Sequence, residues 1–265
     1  MYKIHKFYPA NFDPDRYWED KYAREHIAGK STDDFRQQGF WPLLQKYFRP
    51  GRQYLDAGCG IGGWILFLRD EGYNVEGIDT AARTVRALTE YDPDIRVKVA
   101  SITQIPYPDQ YFDGVLAIGT LEYVEDEMPQ ALREVHRVLK PGGIFFMEVP
   151  SANILRRLFY IPLKRLEFLL KTRQGEKPTF AHYLFVRATL LRRLQVAQFE
   201  VLETRPHELP ESHGHYGLYV DWRIFRGAEP YKLNMAGRAV QKVLTAISPW
   251  LAATGMVVVV RKRAQ

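Results

Sequence analysis

The sequence predicts an α/β fold: a doubly wound, mostly parallel sheet of seven strands, carrying helical insertions. Three observations support this. Apolar runs of strand length alternate with amphipathic runs of helix length between Gln53 and Val149, the pattern that successive βαβ units produce. Several of the strand-like runs, such as "VLAIG" (115–119) and "IFFMEV" (144–149), are almost continuously apolar, as strands covered by helices on both faces must be. The first strand-to-helix junction is the glycine-rich "DAGCGIGG" (56–63), and an open parallel sheet binds ligands at such turns, beyond the carboxyl ends of its strands.

Taken in order, residues 11–48 read as helical, and "DRYWEDKYARE" places Tyr17, Trp18 and Tyr22 within one or two turns of each other. Strands follow at 53–57, 74–79, 95–100, 112–118 and 143–149, with helices at about 62–71, 81–90 and 127–139. "KPGG" (140–143) is the stop signal after the last of these helices. A helix near 187–197, a strand at 199–204 ("FEVLET") and a last strand at 256–261 ("MVVVVR") complete the set. Segments 151–180 and 205–254 break the alternation. The chain thus divides into a helical cap (1–50), a ligand-binding core (51–150), a basic amphipathic insertion (151–185) and the remainder of the core (186–265) with an insertion at 205–254.

Composition narrows the class. Of 265 residues, 46% are hydrophobic and 14% aromatic, enough for a real core. The net charge of +6 is modest, so where the charge lies matters more than its total. The one cysteine, Cys59, excludes an internal disulfide framework and suits a reducing compartment. The first residues lack the apolar centre of a signal peptide, and no run reaches the roughly 18 apolar residues of a membrane-spanning helix. A soluble, cytoplasmic protein is expected.

Gly58, Gly60 and Gly63 fit the dinucleotide spacing G-x-G-x-x-G, and the helix N-terminus behind them favours negative charge. Asp79, closing "NVEGID", can accept hydrogen bonds from both hydroxyls of a ribose, or can cap the helix that follows. At this point both a nicotinamide enzyme and an S-adenosylmethionine enzyme remain open.

Four segments in order bear on that choice: "LDAGCGIGG", "VEGIDTAARTV", "IPYPDQYFDGVLAIGTLEYVED" and "LREVHRVLKPGGIFFMEVP". Together they resemble the class I S-adenosylmethionine-dependent methyltransferases, in particular the type 11-like small-molecule enzymes. The resemblance spans residues 53–150 and implies a Rossmann-like core with S-adenosylmethionine as cofactor. It further implies that Asp56, Gly58 and Gly60, with Gly62 nearby, shape the pocket for the methionine part. Asp79 would take the ribose hydroxyls, and Thr80, Ser101 and Ile102 would flank the adenine. Ser101 stands where the family usually has Asp. Gly119 to Tyr123 end the fourth strand, where donor and acceptor meet, and Tyr123 replaces a frequent His. His182 resembles the family's histidine that faces the acceptor, although Val186 and Gln198 replace the hydroxyl residue and glycine usual in that segment. His182 and Tyr123 are therefore the candidate catalytic residues.

Methyl transfer asks little more of the protein. Holding donor and nucleophile in line supplies much of the rate, and a base is needed only if the acceptor must lose a proton. The H-x-H of His213 and His215, with His207 nearby, lacks a placed third ligand, so no metal is expected. The expected function is methyl transfer to a small or lipid-like acceptor, with oxygen ranked before carbon and nitrogen. The alternatives are a nicotinamide-dependent oxidoreductase and a non-catalytic cofactor-binding regulator. In the insertion, Leu155, Leu158, Phe159, Leu166, Leu169 and Leu170 share one helical face, with Arg157, Lys164 and Lys171 opposite and Pro162 interrupting. That face either packs over the site or gives residues 151–175 a peripheral contact with the inner membrane surface. Basic residues without an RNA-binding motif argue against nucleic acid.

Overall fold

The computed structural model describes residues 1–8, 17–22, 32–124, 126–207, 218–230, 232–251 and 253–263. The chain enters through β1 (Tyr2–Phe7) and the short helices α1 (Tyr17–Tyr22), α2 (Thr32–Arg36) and α3 (Trp41–Tyr47). The alternation then runs β2 (Gln53–Ala57), α4 (Gly63–Asp70), β3 (Asn74–Asp79), α5 (Ala82–Tyr91), β4 (Val97–Val99), β5 (Phe112–Ile118), α6 (Met128–Val138) and β6 (Leu139–Pro150). After it come α7 (Ile161–Arg173), β7 (Pro178–Leu184), α8 (Arg187–Val196), β8 (Phe199–His207), α9 (Leu218–Asp221), α10 (Met235–Ile247) and β9 (Gly255–Lys262).

Seven strands form the main sheet in the order β4-β3-β2-β5-β6-β9-β8. β2 to β6 run parallel, and β9 lies antiparallel between β6 and β8. Strand order reverses between β2 and β5, which locates the ligand crevice at their carboxyl ends. Side chains alternate across the sheet. Leu55, Ala117 and Phe145 point to the layer containing α6 and α8, and Tyr54, Leu116 and Phe146 to the layer containing α3 and α4. Both faces of the central strands are covered, so their side chains are mostly apolar apart from a few buried acids such as Asp56, Glu76, Asp79 and Glu148.

The structure departs from the sequence reading in three places. The N-terminal segment, expected to be helical, opens with β1, which pairs antiparallel with β7 in a separate two-stranded sheet from Tyr2↔Leu184 to Phe7↔Pro178. The basic insertion likewise ends in a strand, β7, so the two segments build one element together. Strand β6 also starts four residues early, at Leu139, and carries "KPGG" within it, with Gly142 at φ +75°. Pro162 occupies the first turn of α7, where its missing N–H is no loss, and a π-type turn (Arg156–Tyr160) precedes it. His213, His215 and residues 9–16 and 23–31 lie outside the described residues. Among the described residues, no helix is long and apolar enough to cross a membrane.

Candidate active site

The loop after β2 is shaped by left-handed backbone at Gly58 (φ +91°), Gly60 (φ +51°) and Gly62 (φ +75°), conformations that side chains disfavour. The Gly58 and Cys59 amides donate to the Ile78 carbonyl at 2.8 and 3.0 Å, which ties the loop to β3. The three glycines serve different neighbours. A Cβ on Gly58 would strike the Thr120 side chain, and one on Gly60 would meet the Tyr22 ring. One on Gly62 would meet Leu88 and Ile95, so that glycine packs α4 onto the core.

Asp79 is buried, and both its oxygens are engaged. Oδ2 accepts from the Gly60 amide at 2.8 Å and Oδ1 from the Ala81 amide at 2.9 Å. It therefore holds the glycine loop and the start of α5 together while facing the crevice. Asp56 lies behind it, 2% exposed. Burial, and then the Asp79 charge, push the Asp56 carboxyl up to about 7.

A cavity of about 360 Å³ occupies the crevice. Of the residues singled out in the sequence, Gly58, Asp79, Thr80, Ser101, Ile102, Gly119 and Tyr123 line it. Asp56, Gly60 and Gly62 do not. Ser101 uses its hydroxyl locally, accepting from the Thr103 amide at 3.1 Å and sharing a hydrogen bond with the Thr103 hydroxyl at 2.8 Å. Trp18 and Tyr22 of α1 close one wall, their rings stacked 5.6 Å apart.

A second cavity of about 140 Å³ adjoins the first and shares Trp18 and Tyr123 with it. Its far side is the two-stranded sheet, through Lys6 and Tyr8 at one edge and Phe180 and His182 of β7 at the other. The ring of Tyr123 meets Trp18 edge-on at 4.6 Å and lies 6.5 Å from His182. The two candidate catalytic residues are thus brought together by the 3-10 turn after β5 (Leu121–Tyr123) and by β7, which are distant in sequence. Burial, with Lys6 and Arg156 adding, pushes the His182 imidazole down to about 4. It is neutral at physiological pH, able to accept a hydrogen bond but weakly basic.

Two side chains escaped the sequence reading. Glu122 is 5% exposed. Burial pushes its carboxyl up to about 8, against the opposing pull of its own amide and of Lys21. Glu122 Oε2 and Thr120 Oγ1 are buried without a hydrogen-bond partner among the described residues; Thr120 lines the larger cavity, and Glu122 lies behind Gly119. The available signal was an acid in an otherwise apolar turn, "GTLEYV" (119–124).

Comparisons with known proteins agree with this geometry. Residues 55–147 match the family model described as a methyltransferase domain. The chain is 31% identical over 109 residues to the malonyl-[acyl-carrier protein] O-methyltransferase of Serratia marcescens, covering 41% of this chain and 42% of that protein. It is 39% identical over 132 residues to the 2-methyl-6-phytyl-1,4-hydroquinone methyltransferase of a Synechocystis strain, covering 48% and 41%. The chain therefore spans about two fifths of the length of these curated relatives. A solved S-adenosylmethionine-dependent methyltransferase of Methanosarcina mazei shares the fold, with a TM-score of 0.60 at 21% identity over 85% of this chain and 99% of that one.

The residues present fit that cofactor. The unpartnered Thr120 oxygen on the cavity wall, with the unpartnered Glu122 oxygen behind Gly119, suits a cationic ligand. The glycine cradle leaves backbone, not side chain, at the crevice floor. The family match resolves the glycine loop in favour of S-adenosylmethionine over a nicotinamide. Residues 55–147 of the chain thus carry a methyltransferase domain, set in the fold that solved S-adenosylmethionine-dependent methyltransferases share.

Proposed function

We propose that the protein moves a methyl group from S-adenosylmethionine to a small or lipid-like acceptor, with oxygen as the first-ranked acceptor atom, then carbon, then nitrogen. The observation that carries this reading is the meeting of two cavities across Trp18 and Tyr123, one of cofactor size and one smaller and aromatic. S-adenosylmethionine, when bound, supplies an electrophilic sulfonium methyl. In this reading Asp79 holds the ribose hydroxyls, while Thr80, Ser101 and Ile102 flank the adenine. Asp56, Gly58, Gly60 and Gly119 shape the methionine end, with Gly62 supporting the loop from behind. Tyr123 and His182 then orient the acceptor. A neutral imidazole with so low a pKa accepts a hydrogen bond from an acceptor hydroxyl better than it removes the proton. The acceptor must therefore be acidic enough to ionise readily, as a phenol or a carboxylic acid is.

The names of the relatives agree with such acceptors, one acting on a malonyl group at oxygen and one on a phytylated hydroquinone. A peripheral membrane contact through 151–175 belongs to the same reading, as the route by which a lipid-like acceptor arrives. The test is calorimetric titration with S-adenosylmethionine, S-adenosylhomocysteine and NAD, followed by methyl-transfer assays on phenols, carboxylic acids and amines. Binding of both sulfur compounds, with transfer to phenols or acids, supports the proposal. Exclusive transfer to amines would remove the oxygen ranking, and cofactor binding without any turnover would favour a regulatory protein.

A further inference from the structure

Two helices outside the site turn apolar faces to solvent. Leu158, Leu163, Leu166, Leu169 and Leu170 are 51–65% exposed. The opposite side of α7 is the one that packs, with Ile161 buried and Phe168 lying 5.1 Å from the His5 ring and 6.2 Å from the Phe7 ring of β1. On α10, Met235, Val243 and Ile247 are 58–79% exposed. With Ala239 they follow the i, i+4, i+8, i+12 spacing of a single stripe. Gly237 is the one buried residue of that helix. The helices are linked: Phe159, just ahead of α7, meets Trp222 edge-on at 5.2 Å, Trp222 lies 6.3 Å from Phe225, and Gly237 packs against Phe225.

Charge is concentrated on the same segments. Residues 151–177 hold seven basic and two acidic residues, and residues 223–247 hold five and one. They carry +5 and +4 of a chain whose net charge is +6, so everything else is net −3. α10 contains Arg238 and Lys242 and no acid.

We infer that α7 and α10 together form a docking face for an anionic lipid bilayer, with the leucine, valine, isoleucine and methionine side chains in the interfacial layer, Arg238 and Lys242 of α10 beside the headgroups, and the cations on the β1 side of α7 adding attraction from farther away. An apolar stripe flanked by Lys and Arg binds in this way, and cations near an anionic leaflet add to the attraction. The charge argues against a second copy of the chain as occupant, because self-association would press two strongly positive faces together. Helix α7 lies on β1, whose partner β7 contributes Phe180 and His182 to the smaller cavity. Docking therefore leaves α7 and the β1–β7 sheet between the bilayer and that cavity, and its link to the acceptor rests on the lipid-like acceptor proposed above.

The experiment is flotation of the whole purified protein with vesicles of phosphatidylcholine alone or mixed with phosphatidylglycerol. Binding to the mixed vesicles is expected, weakening as salt rises, with at least tenfold loss in Leu163→Asp/Leu166→Asp and in Val243→Asp/Ile247→Asp. Circular dichroism and S-adenosylmethionine affinity should be unchanged in both, because neither helix lines the larger cavity. Absence of binding to the mixed vesicles, or binding that both pairs of substitutions leave intact, overturns the inference. So does a dimer in light scattering that the substitutions dissolve while vesicles are ignored. Flotation needs no methyl transfer, so vesicle binding without turnover would retain the docking face and reject the proposed activity.

Discussion

Asp79 has two duties, and its substitution separates them. Its carboxylate holds the glycine loop through Gly60 and the start of α5 through Ala81, and it faces the cavity. Asp79→Ala removes two hydrogen bonds to a charged acceptor, worth about 1.5–3 kcal/mol each. We expect a clear drop in thermal stability together with at least a tenfold loss of S-adenosylmethionine affinity in the protein that remains folded. Unchanged affinity in that fraction would deny Asp79 its contact with the ribose. Glu122 and Asp56 make a second prediction. Their carboxyls are pushed up to about 8 and about 7, so at pH 7 much of each is protonated. A bound cation favours the ionised forms, and binding must then release protons. Calorimetry at pH 7 in buffers of different ionisation enthalpy should show that release, and Glu122→Gln should reduce it. A proton count that Glu122→Gln leaves unchanged would place that carboxyl outside the cofactor's reach. Asp79 was legible in the sequence because it ends a strand that faces a glycine loop. Glu122 was not, because nothing in "GTLEYV" shows that a turn acid is folded inward with one oxygen unpartnered among the described residues.

At the scale of elements, strands that become buried within their own βαβ unit could be read almost to the residue, as β3 and β5 were. Their apolar runs are decided by local burial, and a single window contains the signal. β1 and β7 gave no comparable signal, since each is a strand only because the other lies beside it some 180 residues away. "YKIHKF" is half polar, and its one buried side chain is Ile4. Yet this small sheet forms the far wall of the second cavity, so much of the acceptor side was hidden from the sequence. Ile4→Asp should unseat it. The substitution gives up about 1.5–3 kcal/mol of apolar burial and introduces a charge. Hydrogen exchange should then accelerate across β1 and β7 while β5 and β6 stay protected. Protection retained in β7 would mean that it does not need β1 as its support.

For the whole molecule, the buried titratable groups set opposing slopes of stability against pH. His182 and His207 are both pushed down to about 4 by burial. The unfolded chain binds their protons from about pH 6.5 downward, so they cost stability as the pH falls from 6.5 to 4. Asp56 and Glu122 are raised, so the stability they contribute is fully present below the unfolded carboxylate range and is lost as the pH rises through 7 and 8. The two effects offset each other between pH 4 and 6.5, and above 6.5 the contribution of these two histidines no longer changes with pH. That window separates the two carboxyls from them. Between pH 6.5 and 8, Glu122→Gln should gain on the native protein by roughly 1 kcal/mol per pH unit, because the native carboxyl increasingly bears a buried charge that its own amide and Lys21 only partly offset. Saturating S-adenosylmethionine should shrink that gain, since the ionised Glu122 then faces a cation. Denaturant unfolding of both proteins at several pH values, with and without the cofactor, reads the difference directly, and the subtraction removes every group the two share. A difference that stays flat with pH would mean that Glu122 is already ionised in the free protein. A pH-dependent gain that the cofactor leaves intact would mean that the buried Glu122 carboxyl behind Gly119 lies beyond the cofactor's reach.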